Sequence, residues 1–169
     1  RSFTVHKPPI EKLWQDHLEG KDPGLGIIPI NRDNKLKWGC IDVDVYPVNH
    51  QDFIKKLQEK NIKAIVFRSK SGGAHIFVFT KTFVPAIVMR AKLKIIASEI
   101  GYARAEIYPK QDTINVARGD TGSFLNLPYH NCKDSVRYAF NSKGMKMSLE
   151  EFFDYHNEMA MTEEELTNF

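Results

Sequence analysis

Asp42 and Asp44 stand two residues apart in the run 37–46, KWGCIDVDVY. The run reads as a strand, bounded by a turn over 31–37 and by Pro47. Alternate side chains of a strand share a face, so the two aspartates project together while Ile41, Val43 and Val45 take the other side. Two carboxylates about 4 Å apart repel by roughly 4 kcal/mol at an effective dielectric near 20. A central strand gains nothing from such a pair unless a cation lies between them. Hard oxygen donors on a rigid strand suit Mg²⁺ or Mn²⁺, bound through one or two carboxylates and substrate phosphates. Asp-X-Asp is short and common, and the ordinary alternative is a solvated pair on an open sheet face.

Two further segments carry chemistry. In 103–108 (ARAEIY) the same parity puts Arg104, Glu106 and Tyr108 on one face and Ala105 and Ile107 on the other. With the apolar pair inward, Glu106 projects onto the open face of the sheet, beside the aspartates. Three acidic oxygens on adjacent strands can hold two hard cations in the clamp used for in-line nucleotidyl transfer. The run 69–74 (SKSGGA) precedes His75. Gly72 and Gly73 let backbone N–H groups approach an anion, Ser69 and Ser71 add hydroxyls, and Lys70 and Arg68 add charge. This predicts a triphosphate cradle, although it is not a P-loop and a plain hairpin turn uses the same residues. After the fourth strand, Lys110, Gln111, Arg118 and the 122–128 run containing Asn126 have the composition of a nucleotide or backbone contact. Phe124, Tyr129 and Tyr138 read as core or wall residues. His130 and Cys132 are half a metal site with no second pair nearby.

The elements that must position these residues follow from periodicity. Strands are expected at 37–46, 62–68, 75–80 and 103–108. Helices are expected at 51–60 and 84–100, the second with Pro85 in its first turn and Gly101 past its end. The order βαββαβ is the split βαβ of ferredoxin-like sheets. That topology places the strands 4-1-3-2, with the aspartate strand central. Around this core, a short helix is expected within 9–18 and an extra strand at 25–30. A capping box at Ser148–Glu151 opens a helix through Met159. The fold class is α+β. Residues 1–160 form a single domain with its core at about 36–130, and 161–169 begin a linker or a further helix.

Composition narrows the classes. The 169 residues are 42% hydrophobic and 27% charged, which fits a folded domain of ordinary size. A net charge of +3 allows an anionic partner without demanding one. Cys40 and Cys132 are too few for a disulfide framework or a four-ligand zinc site. No run approaches the length of a membrane span and no signal peptide opens the chain, so a reducing, cytoplasmic setting is expected. The lack of an initiator Met suggests a domain of a larger polypeptide.

Taken together, Cys40-Ile-Asp42-Val-Asp44, the Ser69–His75 run and Ala105-Glu106 resemble the three motifs of the archaeo-eukaryotic primase superfamily. The longer strings at 38–46, 106–111 and 125–128 are most similar to small primase-polymerase domains of phages, plasmids and mobile elements. The resemblance spans about 25–130 and implies an RRM-like palm with an N-terminal α/β extension, to which the capping box at Ser148–Glu151 adds a C-terminal helix. It implies template-directed DNA or primer synthesis from nucleoside triphosphates, in replication of a phage, plasmid or mobile element. Asp42, Asp44 and Glu106 would be catalytic and hold two divalent ions, Mg²⁺ or Mn²⁺. His75 and one or both of Ser69 and Ser71 would bind the nucleotide's phosphates; Lys70, Gly72, Gly73, Lys110 and Asn126 complete the expected nucleotide-binding set. The implied partners are a DNA template and primer, nucleoside triphosphates and no membrane. Because relatives carry helicase or accessory segments, one on the same polypeptide is a further expected partner. Ser71 lies four residues before His75, which departs from a compact Ser-X-His and leaves open which serine meets phosphate.

Three rivals remain. A Mn-dependent Asp-X-Asp glycosyltransferase needs a larger doubly wound unit ahead of the pair, and only 41 residues precede Asp42. A non-catalytic RRM-like module would place aromatics, not carboxylates, on its exposed sheet face. A strand-nicking initiator wants His-X-His, where this chain has His75-Ile-Phe77.

Overall fold

The computed structural model describes residues 2–168. The central sheet has four strands: β2 (Lys35–Val43), β3 (Ile65–Arg68), β4 (Ala74–Pro85) and β5 (Glu106–Tyr108). Their spatial order is β3-β4-β2-β5, with every neighbouring pair antiparallel. This is the expected 4-1-3-2 order. The aspartate strand is central, paired with β4 on one side and β5 on the other. The helices α2 (His50–Glu59) and α3 (Ala86–Glu99) connect the strands as a split βαβ requires. Ahead of this core lie α1 (Glu11–Leu18) and the two-residue strand β1 (Gly26–Ile27). β1 pairs with β6 (Leu125–Asn126) in a small second sheet. The chain ends in α4 (Leu149–Met159) and α5 (Glu163–Thr167). Among the described residues no helix is long and apolar enough to cross a membrane.

Alternation along β2 sorts two cores. Ile41 and Val43 lie with Leu57, Met89, Leu93 and Ile96 in the core beneath α2 and α3. Cys40, on the opposite face, joins Phe67, Phe77, Tyr108, Tyr129 and Met147 in a second core, with Phe152 of α4 packed against it. The ring centroids of Phe67 and Phe152 are 5.0 Å apart. The Tyr129 hydroxyl donates to the Met147 carbonyl at 3.0 Å and accepts from the Ala139 amide at 3.1 Å. Burial pushes that phenol up to about 12. The expectation of an open sheet face is therefore corrected: apolar side chains from 125–159 seal most of it. At the C-terminus, Leu166 of α5 is fully buried in the helix-side core.

Several boundaries differ from expectation. β2 ends at Val43, so Asp44, Val45 and Tyr46 lie outside the sheet and Val45 is exposed rather than inward. Its partner β4 begins only at Ala74, opposite Val43, because the chain before it turns at Gly72 and Gly73. No strand is left to pair Asp44. β5 contributes only 106–108, because the chain before it turns at 103–105, where the Ala105 amide donates to the Tyr102 carbonyl at 2.9 Å. β4 runs on to Pro85, held by the pairs Leu36–Val84 and Lys35–Pro85 beyond a bulge, so α3 starts at Ala86 with Pro85 as its cap. The strand expected at 25–30 is reduced to the short pair between β1 and β6. The Ser148–Glu151 capping box forms as expected.

Candidate active site

On β2, Asp42 is the register partner of Glu106 on β5 and of His75 on β4. Directly opposed residues share a face. The sheet therefore carries a polar row, Glu106–Asp42–His75, one step beyond the apolar row Tyr108–Cys40–Phe77. The acids sit at the rim of the second core, where packing gives way to solvent.

Within the row the environments diverge. The Asp42 side chain is 12% exposed and that of His75 11%, whereas Glu106 is 60% exposed. Asp42 Oδ1 lies 3.3 Å from His75 Nε2, but the approach is misaligned and the oxygen accepts no hydrogen bond. Glu106 turns toward the sheet edge, with Oε1 3.6 Å from Lys110 Nζ and Oε2 accepting a long bond of 3.4 Å from the Tyr108 hydroxyl. Burial raises the pKa of the Tyr108 phenol. Lys110 opposes that shift, while the charges of Glu106 and Asp42 add to it. The Cys40 thiol is pushed far up by burial, with Asp42 contributing.

Asp44 belongs to the serine-glycine turn rather than to the strand. A Cβ on Gly73 would stand 2.8 Å from Asp44 Oδ1 and 2.8 Å from the Val43 carbonyl, so only glycine admits this approach. Gly72 has φ +89°, which glycine alone adopts without strain. Ser69, almost fully buried, donates its amide to the Gly73 carbonyl at 3.0 Å, and the Gly72 amide returns to the Ser69 carbonyl at 3.0 Å. These two N–H groups serve the turn itself and are not offered to an anion. Ser69 Oγ is 3.4 Å from Ser71 Oγ. Ser71 Oγ lies 2.8 Å from the Tyr46 hydroxyl, which donates to Asp44 Oδ1 at 3.3 Å.

Sequence reasoning did not single out Tyr46, His50 or Arg137. His50 Nε2 donates to the Gly73 carbonyl at 2.9 Å and braces the turn from α2. Arg68 braces it from the other side, donating to the Val136 carbonyl at 2.9 Å. Tyr46 follows Asp44 by two residues, a spacing that would have marked it had the strand continued. Lys70 and Asn126, both expected at the nucleotide, line a groove of about 840 Å³ between the turn, β1, β6 and the N-terminal segment.

Among the described residues no three Asp, Glu, His or Cys side chains are already gathered into a ligand set. The donors nonetheless fit a hard divalent cation. They are carboxylate oxygens, and Asp42 Oδ1 is a buried acceptor with nothing bonded to it.

A family model described as the archaeo-eukaryotic primase domain of TOTE conflict systems matches residues 5–167. A search among curated proteins gives no match. The match spans nearly the whole chain, including the polar row, the serine-glycine turn and both terminal helices, and this chain belongs to the archaeo-eukaryotic primase domain family of TOTE conflict systems.

Proposed function

We propose that the domain is a template-directed nucleotidyltransferase, a primase-polymerase that adds nucleotides from nucleoside triphosphates to the 3′-hydroxyl of a DNA strand and releases pyrophosphate. The observation that carries this is the row Glu106–Asp42–His75 beside the Ser69–Gly73 turn, with one buried carboxylate oxygen unsatisfied. Asp42, Asp44 and Glu106 would hold Mg²⁺ or Mn²⁺. When bound, such ions neutralise phosphate charge and acidify a 3′-hydroxyl. Ser69 donates a hydroxyl hydrogen bond to a phosphate oxygen, Ser71 does so by turning its proton away from the Tyr46 oxygen, and His75 adds a donor at the strand mouth. Tyr46 holds the Asp44 carboxylate against the turn, so phosphate binding and acid placement share one scaffold. Catalysis on this scheme is positioning and charge neutralisation. Lys110, which lies against Glu106, is a cation that can move to a phosphate. The inferred setting is replication of a phage, plasmid or mobile element, following the resemblance of the motifs.

The rival readings fare worse. A doubly wound glycosyltransferase needs a parallel sheet, and this one is antiparallel. An RRM-like binding module needs free aromatics on the sheet, and here Phe67 and Phe77 are buried. The test is primer extension with Mn²⁺ or Mg²⁺. Asp42→Asn and Asp44→Asn are expected to lose incorporation by about a thousand-fold or more while remaining folded. His75→Ala is expected to raise KM for the triphosphate. Wild-type rates in either aspartate variant would overturn the assignment.

A further inference from the structure

The groove lined by Lys70 and Asn126 contains a cation that no carboxylate pairs among the described residues. Arg137 lines it and is only 9% exposed. Among the described residues, the one hydrogen bond from its guanidinium goes to the Leu127 carbonyl at 3.5 Å and no carboxylate forms an ion pair with it. Asp22, which also lines the groove, supplies a favourable field without forming an ion pair; its side chain is 92% exposed and stands 3.7 Å from His130. Burial of an unpaired guanidinium is costly unless an anion completes it.

The rest of the lining tells what kind of anion. Lys7 and Lys70 are exposed and make no ion pair among the described residues. Asp16, which also lines the groove, is already neutralised by Lys12 and Lys21. Trp14 and Phe124 contribute rings that are 37% and 43% exposed. At about 840 Å³ the groove has room for several linked groups rather than for one small ion. Spaced cations with interleaved aromatic rings match a chain of phosphates whose bases stack.

We propose that this groove takes the phosphodiester backbone of a single-stranded nucleic acid, with Arg137 on one phosphate and Trp14 and Phe124 beneath bases. The inference rests on the nucleotidyltransferase reading in one respect: it takes the strand to be the template, which passes Lys70 to reach the turn.

Anisotropy of a labelled oligothymidylate, titrated in EDTA across a range of salt, tests it. Arg137→Gln is expected to weaken binding roughly ten-fold and to flatten the salt dependence by about 0.7, the slope per phosphate of a single strand. Trp14→Ala is expected to weaken binding several-fold with the slope unchanged, since stacking releases no counterion. Should Arg137→Gln not fold, Lys7→Glu and Trp14→Ala carry the test from exposed positions. Unchanged affinity and slope in the folded variants would overturn the proposal. So would an Arg137→Gln protein that keeps strand binding and loses the triphosphate-induced thermal shift in Mn²⁺, which would assign the buried cation to the nucleotide. A wild-type chain that binds the strand as described but incorporates nothing would uphold the groove and sink the polymerase reading.

Discussion

Asp42 and His75 face each other across β2 and β4, with Oδ1 3.3 Å from Nε2, yet the carboxylate oxygen accepts no hydrogen bond. A buried acceptor in that state costs on the order of 1–3 kcal/mol. The fold tolerates it because the surrounding strands are over-determined by two apolar cores. Such tolerated strain is what a ligand-binding position looks like before its ligand arrives.

The consequence is a separation of stability from activity. Asp42→Asn keeps the shape and removes the charge, so its melting temperature without divalent ions is expected to equal or exceed wild type. The gain is about 2–4 °C if 1 kcal/mol is recovered. Addition of Mn²⁺ is expected to raise the wild-type melting temperature and leave the variant unmoved. Calorimetry with and without Mn²⁺ measures both. A variant that melts well below wild type would make Asp42 a structural residue.

Tyr46 offers a second separation. Its hydroxyl touches both Ser71 and Asp44, while the residue is 53% exposed. Tyr46→Phe removes two hydrogen bonds from an exposed site, so the stability change is expected to stay within about 0.5 kcal/mol. Incorporation is expected to fall roughly ten-fold in kcat, with a smaller rise in KM for the triphosphate, because the acid and the turn lose their common tether. The apparent affinity for Mn²⁺ is expected to weaken in parallel. Steady-state kinetics over a Mn²⁺ series would read all three, and an unchanged kcat would reduce Tyr46 to a surface residue.

The polar row was legible because it depends on two local regularities. Strand parity put Asp42 opposite Ile41 in facing, and the split βαβ order put Glu106 and His75 on the two strands that flank it. What was not legible came from partners distant in sequence. Asp44 left the sheet because the neighbouring chain turned at Gly72 and Gly73, a fact about β4 rather than β2. The second core was hidden because Tyr129, Ala139, Met147 and Phe152 come from loops and a late helix with no shared period. Arg137 sits in an unremarkable stretch, and nothing local distinguishes a buried guanidinium from an exposed one.

His17 gives the pH dependence its sign. Its ring is buried, with Nε2 donating to the Pro128 carbonyl at 2.8 Å and Nδ1 accepting from the Leu25 amide at 2.9 Å. A carbonyl can only accept and an amide can only donate, so these partners fix the neutral imidazole protonated at Nε2. Burial holds its pKa below the ordinary value near 6.5. The Pro128 carbonyl opposes that shift, and the positive fields of His130 and Arg137 reinforce it. The unfolded chain therefore binds a proton more readily than the folded one. The stabilisation is complete above about pH 6.5 and is lost as pH falls from there toward the folded pKa, at up to about 1.4 kcal/mol per pH unit. Below the folded pKa the loss levels off. Urea unfolding at several pH values would show this decline in wild type and a shallower one in His17→Gln, which keeps a donor and an acceptor but does not titrate. Parallel declines in the two proteins would place the acid sensitivity elsewhere than in the bond that ties α1 to the β1–β6 sheet.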